Sequence, residues 1–259
     1  MANDKFVLIT GATSGIGFEL GKIFSRKGYN LILVARNEDC LKKAKNEFTS
    51  NFHNHIYVIP IDLSQYDAPQ KIYNRLKKEA ITVNILVNNA GFGIYGDFTT
   101  VDVEKHINLI QVNITALTAL SRLFLSDMIK RKEGKLLNIA STAAFQPGPH
   151  MVTYYASKAY VLSFSEALAS ELKGTGVTVT TLCPGPTKTN FEKESNVNKS
   201  RLFKVIKPMS AEVVAQKGYD GLMKGKTIVI PGWRNAFLAF GNRFVPRSIS
   251  TQLSKFALE

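Results

Sequence analysis

The chain has 259 residues, 45% of them hydrophobic, and its 33 lysines and arginines against 20 aspartates and glutamates leave a formal charge of +13. A chain of that length needs no disulfide staples, and Cys40 and Cys183 stand apart, with neither zinc-site spacing nor a disulfide framework. The isolated thiols suit a reducing compartment, and the opening MANDKFVLIT carries neither a signal-peptide core nor a spanning length, so a cytoplasmic location is expected.

Apolar runs of strand length alternate with segments of helical period from the first residues onward. Phe6–Thr10 reads as a strand, followed by a glycine-rich turn and a helix over Gly15–Lys27. Leu31–Ala35 precedes a helix near Glu38–Phe48, and Ile56–Ile61 precedes one over Asp67–Glu79. Asn84–Val87 is apolar without alternation, as in a sheet covered on both faces. A long helix beginning near Val103 places Ile107, Ile110, Ile114, Leu117, Phe124 and Met128 on one packed stripe. Lys135–Ala140, the helix Thr153–Lys173, Val177–Leu182, the helix Ala211–Met223 and Thr227–Pro231 complete the series. No linker or repeat interrupts it, which predicts one α/β domain over 1–259 with a doubly wound, mostly parallel, seven-stranded sheet flanked by helices.

Two stretches fall outside this pattern. Residues 190–208 follow a Pro-Gly-Pro turn and mix charge with Phe191, Phe203, Val205 and Ile206, as a substrate flap or a solvent-facing connector would. The extension 233–259 mixes Trp233, Phe237, Leu238, Phe240, Phe244 and Val245 with Arg234, Arg243 and Arg247. It fits a subunit contact, a pocket wall or a peripheral membrane contact.

The segment Thr10-Gly11-Ala12-Thr13-Ser14-Gly15-Ile16-Gly17 links the first strand to the first helix, where free backbone N–H groups favour a phosphate. Three residues, rather than one, separate its first two glycines. The second strand ends Val34-Ala35-Arg36-Asn37, without the acid that would receive a ribose hydroxyl. Arg36 offers its guanidinium to the extra phosphate of NADP(H), which makes that the expected cofactor. Asp62 could receive an adenine amino group or cap a helix. Tyr154 and Lys158 lie one helical turn apart, so an ammonium can lower the pKa of a phenol and make it a proton shuttle. Ser141 ends the fifth strand, where its hydroxyl could hold a substrate oxygen or act as a local cap.

These motifs, with Asp62-Leu63, Asn88-Asn89-Ala90-Gly91, Asn113, Tyr154-Tyr155-Ala156-Ser157-Lys158 and Pro184-Gly185 with Thr189, resemble the short-chain dehydrogenase/reductase family over nearly the whole chain. The resemblance implies a Rossmann-like fold and hydride transfer between NADP(H) and a carbonyl or secondary alcohol. It implies Tyr154 as acid/base, Lys158 as its partner and ribose ligand, Ser141 on the reacting oxygen, and Asn113 in a water and proton relay. It places Gly11, Thr13, Ser14, Gly15, Ile16, Gly17, Leu63, Asn89, Ala90, Gly91, Pro184, Gly185, Thr187 and Thr189 at the cofactor. It implies a homodimer or homotetramer using the two long helices. Tyr155 is set aside because Lys158 would then be only three residues away. Ser14 stands where some NADP-preferring members carry a basic residue.

The substrate pocket is expected from Phe92–Phe98, Ala143–Thr153 and the flap, with Phe92, Phe145, Met151 and Phe191 giving it apolar walls. Gln146 and His150 are either polar readers of a substrate or ordinary loop structure. The alternative to an enzyme is a non-catalytic NADP-binding regulator or scaffold. The remaining lysines are dispersed among acids such as Glu38, Glu47 and Glu79, so no nucleic-acid partner is expected.

Overall fold

The computed structural model describes residues 3–51, 54–191, 195, 197 and 208–259. Its strands are β1 (Asn3–Thr10), β2 (Tyr29–Ala35), β3 (Ile56–Pro60), β4 (Val83–Asn88), β5 (Gly134–Ile139), β6 (Val177–Leu182), β7 (Thr187–Lys188), β8 (Met209–Ser210) and β9 (Ile228–Val229). Seven of them form one parallel sheet in the order β3-β2-β1-β4-β5-β6-β9. Parallel neighbours need crossovers, and α1 (Gly15–Arg26), α2 (Glu38–Asn51) and α3 (Ala68–Lys78) supply the first of them.

Along β1, Val7 and Ile9 join a core on one face of the sheet with Leu20 and Phe24 of α1, Phe48 of α2, and Val214 and Leu222 of a later helix. Leu8 points the other way, into a core with Ile72 and Leu76 of α3 and with Leu120, Phe124 and Met128. Burial on both faces is why the strands read as unbroken apolar runs. The chain winds outward from β1 to β3, then crosses back to place β4 on the other side of β1. The loops after β1 and β4 therefore part at their carboxyl ends and leave a crevice.

The long helix runs as α4 (Val103–Ile110), a π-helical segment (Gln111–Ala116) and α5 (Leu117–Arg131). The single expected stripe does not hold across it. Leu117, Phe124 and Met128 are buried, whereas Ile107 and Ile110 face solvent and Leu109 is the buried residue of α4. A π turn adds one residue, which rotates the buried face by about 100° between the two halves. By length and composition this stretch could cross a membrane, but Leu120, Phe124 and Met128 are packed on the sheet.

The remaining helices are α6 (Val152–Glu171), α7 (Ala211–Met223), α8 (Trp233–Gly241) and α9 (Arg247–Leu258). The extension 233–259 is thus two helices, with Pro246 at the start of the second. The expected seventh strand shortens to Ile228–Val229, joined to β6. The two-residue ladder between β7 and β8 brackets the expected flap. Of that flap, Phe203, Val205 and Ile206 lie outside the described residues.

Candidate active site

The crevice at the carboxyl ends of β1 and β4 is built by stitching two loops together. Thr10 Oγ1 accepts from the backbone N–H of Asn89 and of Ala90, each at 3.0 Å. In return, Asn89 Nδ2 donates to the carbonyls of Thr10 (2.9 Å) and Gly11 (3.0 Å). Gly11 adopts φ +65°, and a Cβ on Gly17 would overlap Asn89 and the Gly11 carbonyl, so α1 can start against the turn only with glycine there. Ser14 caps α1 in extended conformation without a side-chain cap bond. Its hydroxyl and the first-turn N–H groups, which have no acceptor inside the helix, face the crevice as anion donors. A Cβ on Gly15 would meet Thr189 Cγ2 at 2.9 Å, so the segment after β6 closes the crevice from the far side.

Gly11, Ser14, Gly15, Asn89, Ala90 and Thr189 line a cavity of about 680 Å³ that runs from Arg36, Asp62 and Leu63 past the glycine turn to Ser141, Tyr154 and Lys158. Arg36 is exposed at its outer end and makes no ion pair among the described residues. Asp62 Oδ1 accepts from Ser64 N at 2.9 Å, which ties one carboxylate oxygen into a local turn. The residue at the start of α3 is Asp67, so Asp62 is not a helix cap. A string of anion donors, a guanidinium and a carboxylate along one elongated cavity suits a dinucleotide with an extra phosphate.

At the inner end, Lys158 is buried and its Nζ donates to the Ile139 carbonyl at 2.8 Å. Two of its three N–H groups remain, 5.7 Å from the centre of the Tyr154 ring. Burial lowers the Lys158 pKa from 10.5 to about 8, with a smaller opposing effect from Cys183. Burial pushes the Tyr154 phenol well above its ordinary 10, and a hydrogen bond with Ser141 offsets part of that rise. Ser141 Oγ accepts from Ala143 N at 3.1 Å and faces the Pro184 carbonyl at 3.4 Å, so the hydroxyl is both a cap and a cavity group. Tyr155 also borders the cavity, but its ring packs against Gly148 and shares an apolar cluster with Leu258 of α9.

Three expected residues sit elsewhere. Asn113, within the π-helical segment, is fully buried outside the cavity wall. Its Oδ1 accepts from Phe92 N (3.1 Å), and its Nδ2 donates to Phe92 O (3.0 Å) and Ser157 Oγ (3.1 Å). The side chain is a clamp on the loop after β4. Gly17 packs beneath the turn rather than lining the cavity. Phe145 packs toward Val161 and Cys183, because the short 3₁₀ turn Thr142–Phe145 carries it away, while Phe92, Met151 and Phe191 do line the cavity. His150 is held by Asp97 (Nδ1 to Oδ1, 2.9 Å) and, like Gln146, lies outside the lining.

Sequence reasoning missed the roles of Thr10, Val197 and Leu258. Leu258 is buried in the pocket wall, and its carbonyl accepts from Tyr95 Oη at 2.8 Å. The apolar tail signalled a packed element without showing against what.

The sequence profile described as short chain dehydrogenase matches residues 5–200. An uncharacterized oxidoreductase, YvrD, of Bacillus subtilis is 36% identical over 186 residues, covering 72% of this chain and 70% of that protein. A very-long-chain 3-oxoacyl-CoA reductase of Pyrenophora tritici-repentis is 37% identical over 178 residues, covering 67% of this chain but only 52% of that protein. Among solved structures, a short-chain dehydrogenase from Sphingobium yanoikuyae in complex with NADPH superposes with a TM-score of 0.84 at 28% identity, covering 93% of this chain and 92% of that one.

Proposed function

The chain belongs to the short-chain dehydrogenase/reductase family, and from that premise we propose an NADP(H)-dependent oxidoreductase that interconverts a carbonyl and a secondary alcohol with Tyr154 as proton donor and acceptor. The observation that carries this reading is the meeting of Ser141, Tyr154 and Lys158 in the cavity that also holds the glycine turn and Arg36. NADPH in the Sphingobium yanoikuyae relative supports the choice of cofactor. Gly11 to Ile16 and Thr189 would hold its diphosphate, Arg36 its extra phosphate, and Lys158 its nicotinamide ribose. When bound, it supplies the hydride.

In the reducing direction Ser141 donates a hydrogen bond to the carbonyl oxygen and fixes it beside Tyr154. As charge develops on that oxygen, the Tyr154 hydroxyl gives it a proton, and the phenolate left behind lies near the Lys158 ammonium. Phe92, Met151, Phe191 and Leu258 exclude water from the reacting end and favour an apolar carbonyl compound.

The exposed apolar residues Val103, Ile107 and Ile110 of α4 and Val152 and Tyr160 of α6 support a homodimer or homotetramer through the two long helices. The free thiols of Cys40 and Cys183 support a cytoplasmic setting. The test is NADPH consumption across a panel of apolar ketones and aldehydes by wild type and Tyr154→Phe. Turnover by wild type alone is expected. Equal inactivity of both across the panel would favour a cofactor-binding scaffold.

A further inference from the structure

The cavity ends on α9, and the opposite side of that helix takes no part in the site. On α9 the buried residues Ser250, Ser254 and Leu258 recur on one face, while Ile249 and Leu253 on the other are 49% and 62% exposed. On α8 and the turn after it, Trp233, Phe237, Phe240 and Phe244 follow a helical stripe and are 76%, 71%, 58% and 75% exposed. The two helices are tied to each other and to the substrate loop: Asn242 Oδ1 accepts from Ser250 Oγ at 2.6 Å, and Asn242 Nδ2 donates to the Phe145 carbonyl. So large an apolar and aromatic surface on one short segment marks an interaction site.

Its charge identifies the occupant. Residues 233–259 contain four cations, Arg234, Arg243, Arg247 and Lys255, and one acid, Glu259. That acid is already engaged, 3.6 Å from Lys255 Nζ and 3.8 Å from His150 Nε2. The Arg234 guanidinium lies 5.4 Å from the Trp233 ring, over its face. Aromatic rings rimmed by cations suit the boundary between anionic headgroups and acyl chains. A second copy of this face would bring like charges together, which disfavours self-association here.

We propose that α8 and α9 dock the protein on an anionic lipid bilayer, with Trp233, Phe237, Phe244 and Leu253 in the headgroup boundary and the arginines on the headgroups. Docking goes beyond the catalytic reading and stands without it. Its sense for an enzyme lies in α9: the inner face closes the cavity through Leu258, so the outer face sets the apolar end of the pocket beside the lipid.

Trp233 is the chain's single tryptophan, so the emission of the full-length protein reads this face directly. Phosphatidylcholine vesicles doped with phosphatidylglycerol should shift that emission to the blue, brominated acyl chains should quench it, and added salt should reverse both. Pure phosphatidylcholine should leave it nearly unmoved. The double variant Arg243→Ala with Arg247→Ala should partition about 30-fold more weakly, two cations at about 1 kcal/mol each. Its far-ultraviolet circular dichroism should match wild type, and the quenching of wild type tests the proposal independently of any variant. The proposal is overturned by emission indifferent to both vesicles, by equal partition into both, or by a lipid-free emission shift that grows with protein concentration, which would assign the face to self-association.

Discussion

Replacing Lys158 by methionine keeps most of the buried stem and removes the cation. In wild type the lysine is nearly inaccessible, and burial lowers its pKa from 10.5 to about 8. That interval corresponds to about 3 kcal/mol of stability lost to burying the charge. Below pH 8 both the folded and the unfolded chain carry the proton, so the full cost is present. Between 8 and 10.5 the folded protein has released the proton while the unfolded chain still holds it, so the contribution of Lys158 to wild-type stability rises with pH. Cys183, pushed up to about 12 by burial, stays a neutral thiol throughout. Lys158→Met has no such titration. It also leaves the Ile139 carbonyl without its donor, a cost of about 1–3 kcal/mol that does not depend on pH. Urea unfolding of both proteins without cofactor at a series of pH values separates these effects. The stability of the variant relative to wild type should fall by about 3 kcal/mol as pH rises from below 8 to above 10.5. A difference that stays constant across that window would refute the claim that a desolvated ammonium sits at the base of the site.

Arg36→Ala should weaken NADPH binding by about 10-fold to 100-fold, the worth of charge-assisted hydrogen bonds, and leave NADH binding unchanged. An unaltered ratio of the two affinities would remove Arg36 from the phosphate. Asn113→Leu strips the partners from Phe92 N, Phe92 O and Ser157, so it should cost about 2–4 kcal/mol in urea unfolding. A loss under about 1 kcal/mol would deny the clamp. For the proposed homo-oligomer, wild type should sediment as a dimer or tetramer and Ile107→Asp combined with Ile110→Asp as a monomer, whereas a monomeric wild type or an unchanged mass in the variant would remove α4 from a subunit contact.

The sheet was legible because its central strands are buried on both faces, which leaves unbroken apolar runs such as Val7-Leu8-Ile9. The cofactor end was legible because close approach of backbone demands glycine, and Gly11, Gly15 and Gly17 stand where a Cβ would collide. The π turn at Gln111–Ala116 was not, since one added residue leaves local composition unchanged while rotating everything before it. Asn113 shows a related limit. Its place in the motif was legible, whereas its bonds to Phe92 and Ser157 join residues distant in sequence and emerge only in the fold. Leu258 became part of the pocket only through α9 folding back onto Tyr95 and Tyr155, a long-range contact with no local periodicity to announce it.

Hydride transfer from NADPH with proton donation by Tyr154 is the proposed chemistry. Its most direct test uses NADPH carrying deuterium at both C4 positions, a ketone that wild type reduces, and mass spectrometry of the alcohol. One deuterium on the carbinol carbon is expected with wild type. With Tyr154→Phe, labelled product should fall by about 100-fold to 10,000-fold while NADPH affinity is retained. Product without deuterium, or labelled product formed equally fast by the variant, would contradict it.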